Sequence, residues 1–176
     1  QAGVITRTAA DAALLLGAAF VLAAPIIWAV GAGVQMGLRL FGDAPGSSIQ
    51  HGTLELLVAP GGSADPWWWA VMLGAVLGAP IFEEVIFRGF MQPAIAGLAR
   101  SRWAGIVVTS AVFALMHVPT GSGSTGATWL AIPTLVVLSI AMGVALERTG
   151  RLWVPIVMHI LFNASNVALA FAVSPS

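Results

Sequence analysis

The stretch PWWWAVMLGAVLGAPIFEEVIFRGF, Pro66 to Phe90, decides the fold class. It is long enough to cross a bilayer, since a spanning helix needs roughly 20 apolar residues. Yet it carries Glu83, Glu84 and Arg88 in its second half. A charge at the centre of a membrane helix costs about 2.5–3.5 kcal/mol on insertion scales, so ionisable groups there are functional candidates. Glu84 and Arg88 are one helical turn apart and can neutralise each other on one face. Glu83 points about 100° away on an ideal helix and has no such local partner.

Outward from this stretch the chain repeats the apolar pattern. Further apolar runs extend from about Ala12 to Leu38, Trp103 to Val118, Thr128 to Leu146 and Leu152 to Val173. The expected fold is all-α: a polytopic transmembrane helical bundle of about five spanning helices. It forms a single integral-membrane domain over residues 1–176, with a motif-bearing core at 67–173. The Trp103 run is short, so its helix is expected to begin earlier, near Gly97 or Arg100. Pro93, with Gly89 and Gly97, is expected to bend the second span. Turn chemistry fills the linkers: Gly42 to Asp65, with a short interfacial helix at Thr53 to Val58, then Thr120 to Gly126, then Thr149-Gly150. Trp67, Trp68 and Trp69 fit an interfacial aromatic belt.

Composition agrees. The chain is 59% hydrophobic and 8% charged, against about 25% charged in soluble domains, which makes the lipid bilayer its first partner. Seven arginines balance seven acids, there is no Lys, and the net charge is zero, which excludes a basic nucleic-acid surface. The absence of Cys removes disulfides, thiolate nucleophiles and Cys-based metal sites. The first run is too long for a cleaved signal peptide and has Pro25 in its middle. The chain starts at Gln1 rather than Met, so an N-terminal piece is expected to be missing. Alternating the five spans puts Arg7, Arg100, Arg102, Arg148 and Arg151 on one side and Arg39 on the other. The positive-inside rule then makes the N-terminus cytoplasmic.

Two further polar clusters sit in apolar spans. Phe113-Ala114-Leu115-Met116-His117 closes the third, and His159-Ile160-Leu161-Phe162-Asn163 lies in the fifth. Taken singly, each cluster has a packing explanation: an ion network, a satisfied histidine, or polar glue between helices. Their depths bring them together. Glu83 lies 17 residues before Arg100 and His117 lies 17 after it. An antiparallel hairpin turning near Arg100 would place both about 25 Å from the turn. His159 and Asn163 fall roughly 14–20 Å from the next turn on that side. A carboxylate, two imidazoles and a carboxamide suit water activation against a carbonyl. Glu83 would take the proton as general base, and imidazole and carboxamide donors would hold the oxyanion. The competing route is zinc on Glu83, His117 and His159, a His₂Glu set with an open position. No His-Glu-x-x-His is present, and the metal-independent route is the preferred reading.

These motifs resemble those of the CAAX protease and bacteriocin-processing family, also called the type II CAAX prenyl endopeptidase family. Its Glu-Glu-x-x-x-Arg matches Glu83 to Arg88, its Phe-x-x-x-His matches Phe113 to His117, and its His-x-x-x-Asn matches His159 to Asn163. All three occur in family order on separate spans, over roughly Trp67 to Ala168. The resemblance implies an intramembrane endopeptidase acting on a peptide or protein substrate. It implies that Glu83 activates water with His117 assisting, that His159 and Asn163 stabilise the oxyanion, and that Glu84 and Arg88 support the site. Members have been described both as metalloproteases and as metal-independent glutamate proteases, so no cofactor is required by the resemblance and zinc stays open. Eukaryotic members cleave prenylated CAAX proteins, while prokaryotic members serve peptide processing, immunity or regulation. Arginine without lysine, with abundant Ala and Gly, points to a GC-rich bacterial genome and a cytoplasmic membrane, so a prenylated substrate is not assumed. Many relatives carry more helices than five. The alternative is a non-enzymatic binding or bacteriocin-immunity protein that uses the same polar cluster for partner recognition.

Overall fold

Prolines shape the longest helix. The computed structural model describes residues 66–118 and 131–173, with isolated helical positions at 29, 32, 33 and 36. The first continuous helix, α1 (Pro66–Ala99), has 34 residues, about 50 Å at 1.5 Å per residue. Within it Gly74–Gly78 and Val85–Met91 are wound as π-helix. Each π segment is followed two residues later by a proline, Pro80 or Pro93. Proline has no N–H, and its ring presses on the carbonyl four residues back. A wider π turn upstream relieves that clash. Accordingly the Ala79 N–H reaches back five residues to the Gly74 carbonyl, and the Gln92 N–H to that of Phe87. A bend is the expectation at Pro93; the feature the helix shows there is the π winding of Val85–Met91.

Helix α1 stops at Arg100, which adopts a left-handed conformation with φ 51°. Ser101 is extended, and its hydroxyl accepts from the Ala104 N–H at 3.2 Å, capping α2 (Arg102–Met116). The helix therefore begins after Arg100 rather than before it, because the left-handed residue breaks the helical path. Its 15 residues reach about 22 Å, less than the roughly 30 Å hydrocarbon core. Helix α3 (Ala131–Thr149) ends at Gly150, whose φ of +64° suits the residue without a Cβ. Helix α4 (Trp153–Val173) completes the described residues.

All regular structure among the described residues is helical. Three helices are long and apolar enough to cross a membrane: Pro66–Ala99, Ile132–Thr149 and Trp153–Ala172. The expected first span, the linker before Asp65 and the Thr120–Gly126 loop lie outside the described residues, apart from the four isolated positions. Helix α2 packs between α3 and the end of α1, while α4 packs on α3 and on the middle of α1. Phe87, Phe113, Leu138, Met142, Val154 and Met158 form the buried core. Phe82, Phe90, Leu98, Leu115 and Met116 point outward, an arrangement suited to lipid rather than water. Arg102 pairs with Glu147 at 3.7 Å, so both arginine-bearing turns lie at one end of the bundle.

The α1–α2 hairpin closes on Gly105. A Cβ there would lie 2.7 Å from the Gln92 carbonyl oxygen and 2.8 Å from the Ala96 Cβ. Gly105→Ala is expected to destabilise the protein by about 1–3 kcal/mol through overpacking. At Gly97 a Cβ meets nothing within 4 Å, so Gly97→Ala should not destabilise. Thermal unfolding in detergent measures both, and an unchanged midpoint for Gly105→Ala would contradict the close approach.

Candidate active site

Arg88 and Glu84 are wholly buried, and the helix itself brings them together. Arg88 Nη1 donates to Glu84 Oε1 at 3.0 Å. A guanidinium has five N–H donors, so one carboxylate cannot satisfy it. Helix α3 supplies two further acceptors: Arg88 Nη2 donates to the Ser139 carbonyl at 3.1 Å and also to the Ser139 hydroxyl, while Nε is buried without a hydrogen-bond partner. The guanidinium carbon lies 4.9 Å from the centroid of the buried Phe113 ring, within range of a cation–π contact. One turn further along α1, Gln92 repeats the pattern. Its buried amide donates to the Gly143 carbonyl and to Glu147 Oε1, both at 3.2 Å.

Glu84 then acts on α4. His159 Nδ1 lies 3.0 Å from the Glu84 Oε1 that Arg88 holds. An ionised carboxylate only accepts, so the Nδ1 proton belongs to His159. His117, the C-cap of α2, is fixed in the same way: its Nδ1 lies 2.7 Å from the Phe113 carbonyl, which also only accepts. Both rings therefore carry a proton on Nδ1 and turn Nε2 towards Glu83. Glu83 Oε2 is 3.8 Å from His117 Nε2 and 3.9 Å from His159 Nε2. These separations exceed a direct hydrogen bond. Glu83 Oε2 is buried without a hydrogen-bond partner, and an orphaned buried oxygen of this kind points to a small guest or a catalytic role. Phe113 backs both imidazoles, with ring centroids 4.5 Å from His117 and 5.7 Å from His159.

Asn163 lies one turn beyond His159 on α4. Its Nδ2 donates to the Ala75 carbonyl in the first π segment at 2.9 Å, which fixes the flip of the amide. One N–H of that amide is thereby used and the other remains. Glu83, His117 and His159 thus converge from α1, α2 and α4, with Glu84 and Arg88 behind His159. Asn163 is anchored to α1 at Ala75, eight residues before Glu83 in sequence.

Zinc would hold its ligands at about 2.0–2.2 Å, which sets tetrahedral donors about 3.3–3.6 Å apart. The Glu83–histidine separations are wider, and no group of three His, Asp or Glu side chains among the described residues is placed to hold a metal ion. Ser139 escapes the sequence reading. Its only signal is a hydroxyl in the middle of an apolar run.

The geometry can be set beside known proteins. A family model described as type II CAAX prenyl endopeptidase Rce1-like matches residues 65–165. The chain belongs to that family. The match spans all three polar clusters, the whole of α1, α2 and α3 with Ser139, and α4 as far as residue 165. Comparison with curated proteins and with solved structures gives no match. Membership supports a CAAX-type protease, and the apolar helices fit an integral membrane protein.

The buried pair makes a stability prediction for this family member. Arg88→Met takes from the buried Glu84 carboxylate the cation of its own helix and should cost about 3–5 kcal/mol. Adding Glu84→Gln removes the carboxylate charge while keeping an acceptor for His159, and should recover much of the loss. Unfolding midpoints of the two proteins decide the matter. A double variant no more stable than Arg88→Met would mean that the pair is not charged as described.

Proposed function

We propose that this protein is an intramembrane endopeptidase in which Glu83 activates a water against a peptide carbonyl held among α1, α2 and α4. The observation that carries the reading is the convergence of two imidazole Nε2 atoms, at 3.8 and 3.9 Å, on Glu83 Oε2, a buried oxygen that has no hydrogen-bond partner. A water about 2.8 Å from Glu83 Oε2 and from either Nε2 fits those two separations.

Glu83 accepts one water proton as the oxygen attacks, and His117 Nε2 accepts a hydrogen bond from the other O–H. The carbonyl oxygen becomes an oxyanion and needs donors. The second N–H of Asn163 is one. His159 Nε2 is the other. Because its Nδ1 proton is already given to Glu84, donation from Nε2 requires the imidazolium. Glu84 is suited to hold that cation, and with Arg88 and Glu83 the four charges cancel inside an apolar bundle. Collapse of the intermediate breaks the C–N bond, and Glu83 returns its proton to the leaving amine. Glu84 and Arg88 do not touch the substrate in this scheme; they hold His159. The substrate is a peptide or protein presented at the membrane.

Glu83→Gln keeps the shape of the side chain and loses the base. It is expected to lower kcat by about 10²–10⁴-fold, the usual share of general-base catalysis. Asn163→Ala should lower it by about 10²–10³-fold through loss of an oxyanion donor. Peptide-library cleavage by the purified protein in detergent measures both. Undiminished turnover by Glu83→Gln would refute the mechanism.

A further inference from the structure

Pro80 lies buried in α1, three residues before Glu83. It has no acidic, basic or hydrogen-bonding group, and the proposed chemistry does not use it. Its surroundings give it a role. The carbonyl of Ala75 has two possible partners within α1. In an α-helix the donor is the N–H of Ala79, but that N–H bonds the Gly74 carbonyl instead. In a π-helix the donor is residue 80, and Pro80 has no N–H. Neither winding satisfies the Ala75 oxygen. An unpaired carbonyl in an apolar bundle must find a donor elsewhere. Asn163 Nδ2, from α4, supplies it at 2.9 Å.

We propose that Pro80 is a positioning residue: by withholding an N–H it leaves the Ala75 carbonyl as an acceptor facing α4, and that acceptor sets the orientation of the Asn163 carboxamide. The carbonyl can only accept, so it selects the flip that turns Nδ2 towards α1 and leaves one N–H for the substrate oxyanion. The irregular winding of α1 is then part of the site, in keeping with the frequent placement of π segments at functional positions. The inference rests on the reading of Asn163 as an oxyanion donor.

Pro80→Ala supplies the missing N–H and lets the Ala75 carbonyl bond within its own helix. Proline is the least favourable residue in a helix interior, so the variant should unfold at a temperature no lower than the unaltered protein. It should nevertheless lose activity, with kcat down by about 10–100-fold and KM little changed. Combined with Asn163→Ala, it should be no slower than Asn163→Ala alone, because both act through one amide. Pro80→Val also restores the N–H and leaves no cavity where the ring lay, and should behave alike if Pro80→Ala folds poorly. Full activity in a folded Pro80 variant, or losses that multiply in the double variant, would overturn the proposal.

A second readout does not depend on hydrolysis. In protein labelled with 15N-asparagine, the Asn163 side-chain N–H should carry a hydrogen-bonded shift that moves in Pro80→Ala. An unmoved signal overturns the role of Pro80. A moved signal with Asn163→Ala fully active would instead remove only the oxyanion reading.

Discussion

A guanidinium enclosed by helices has no water to solvate it, so protein groups must meet its donors. The two terminal nitrogens of Arg88 meet this demand with Glu84 on its own helix and with the carbonyl and hydroxyl of Ser139 on α3, the face of Phe113 on α2 lies against the cation, and Nε alone is left without a hydrogen-bond partner. Three helices are thereby held around one side chain. The same Glu84 oxygen accepts from His159 on α4 and brings in the fourth helix. A buried ion pair is weak evidence for stability on its own. Here its value is orientation: each hydrogen bond fixes the next group, and the sequence of bonds ends at an imidazole nitrogen facing Glu83.

The irregular features of the bundle gather near that point. Both π segments lie on α1, one supplying the carbonyl that anchors Asn163 and the other carrying Arg88. Helix α2 is shorter than the hydrocarbon core is thick, and its C-cap is His117. Non-helical backbone at membrane depth is tolerated where it is buried in protein or lines a cavity. The end of α2 is therefore a suitable place for a ring that needs both a free backbone carbonyl and access to a polar pocket.

Much of this architecture is readable from residue order. The four-residue spacing of Glu84 and Arg88 on one helix gives their pairing, because local geometry alone determines it. The equal arms from Arg100 to Glu83 and to His117 give their common depth, because hairpin register converts sequence distance into height. Ser139 is not readable in this way. Its contact with Arg88 depends on how α3 rotates against α1, and periodicity in a nearly uniform apolar run does not fix rotation. The partner of His159 is likewise hidden: sequence puts it near Glu83, while the Glu84 contact emerges only once α4 has docked. The late start of α2 depends on Arg100 entering a left-handed conformation that glycine more often occupies.

The central claim is that Glu83, His117 and His159 surround a single solvent position. The most direct measurement is an experimental structure of the active protein in a lipid nanodisc, at a resolution that shows ordered water. The account predicts solvent density within about 3.2 Å of Glu83 Oε2 and both Nε2 atoms. Density at about 2.0–2.2 Å from all three would instead mark a metal, and a Glu83 side chain turned out to lipid would contradict the shared site altogether.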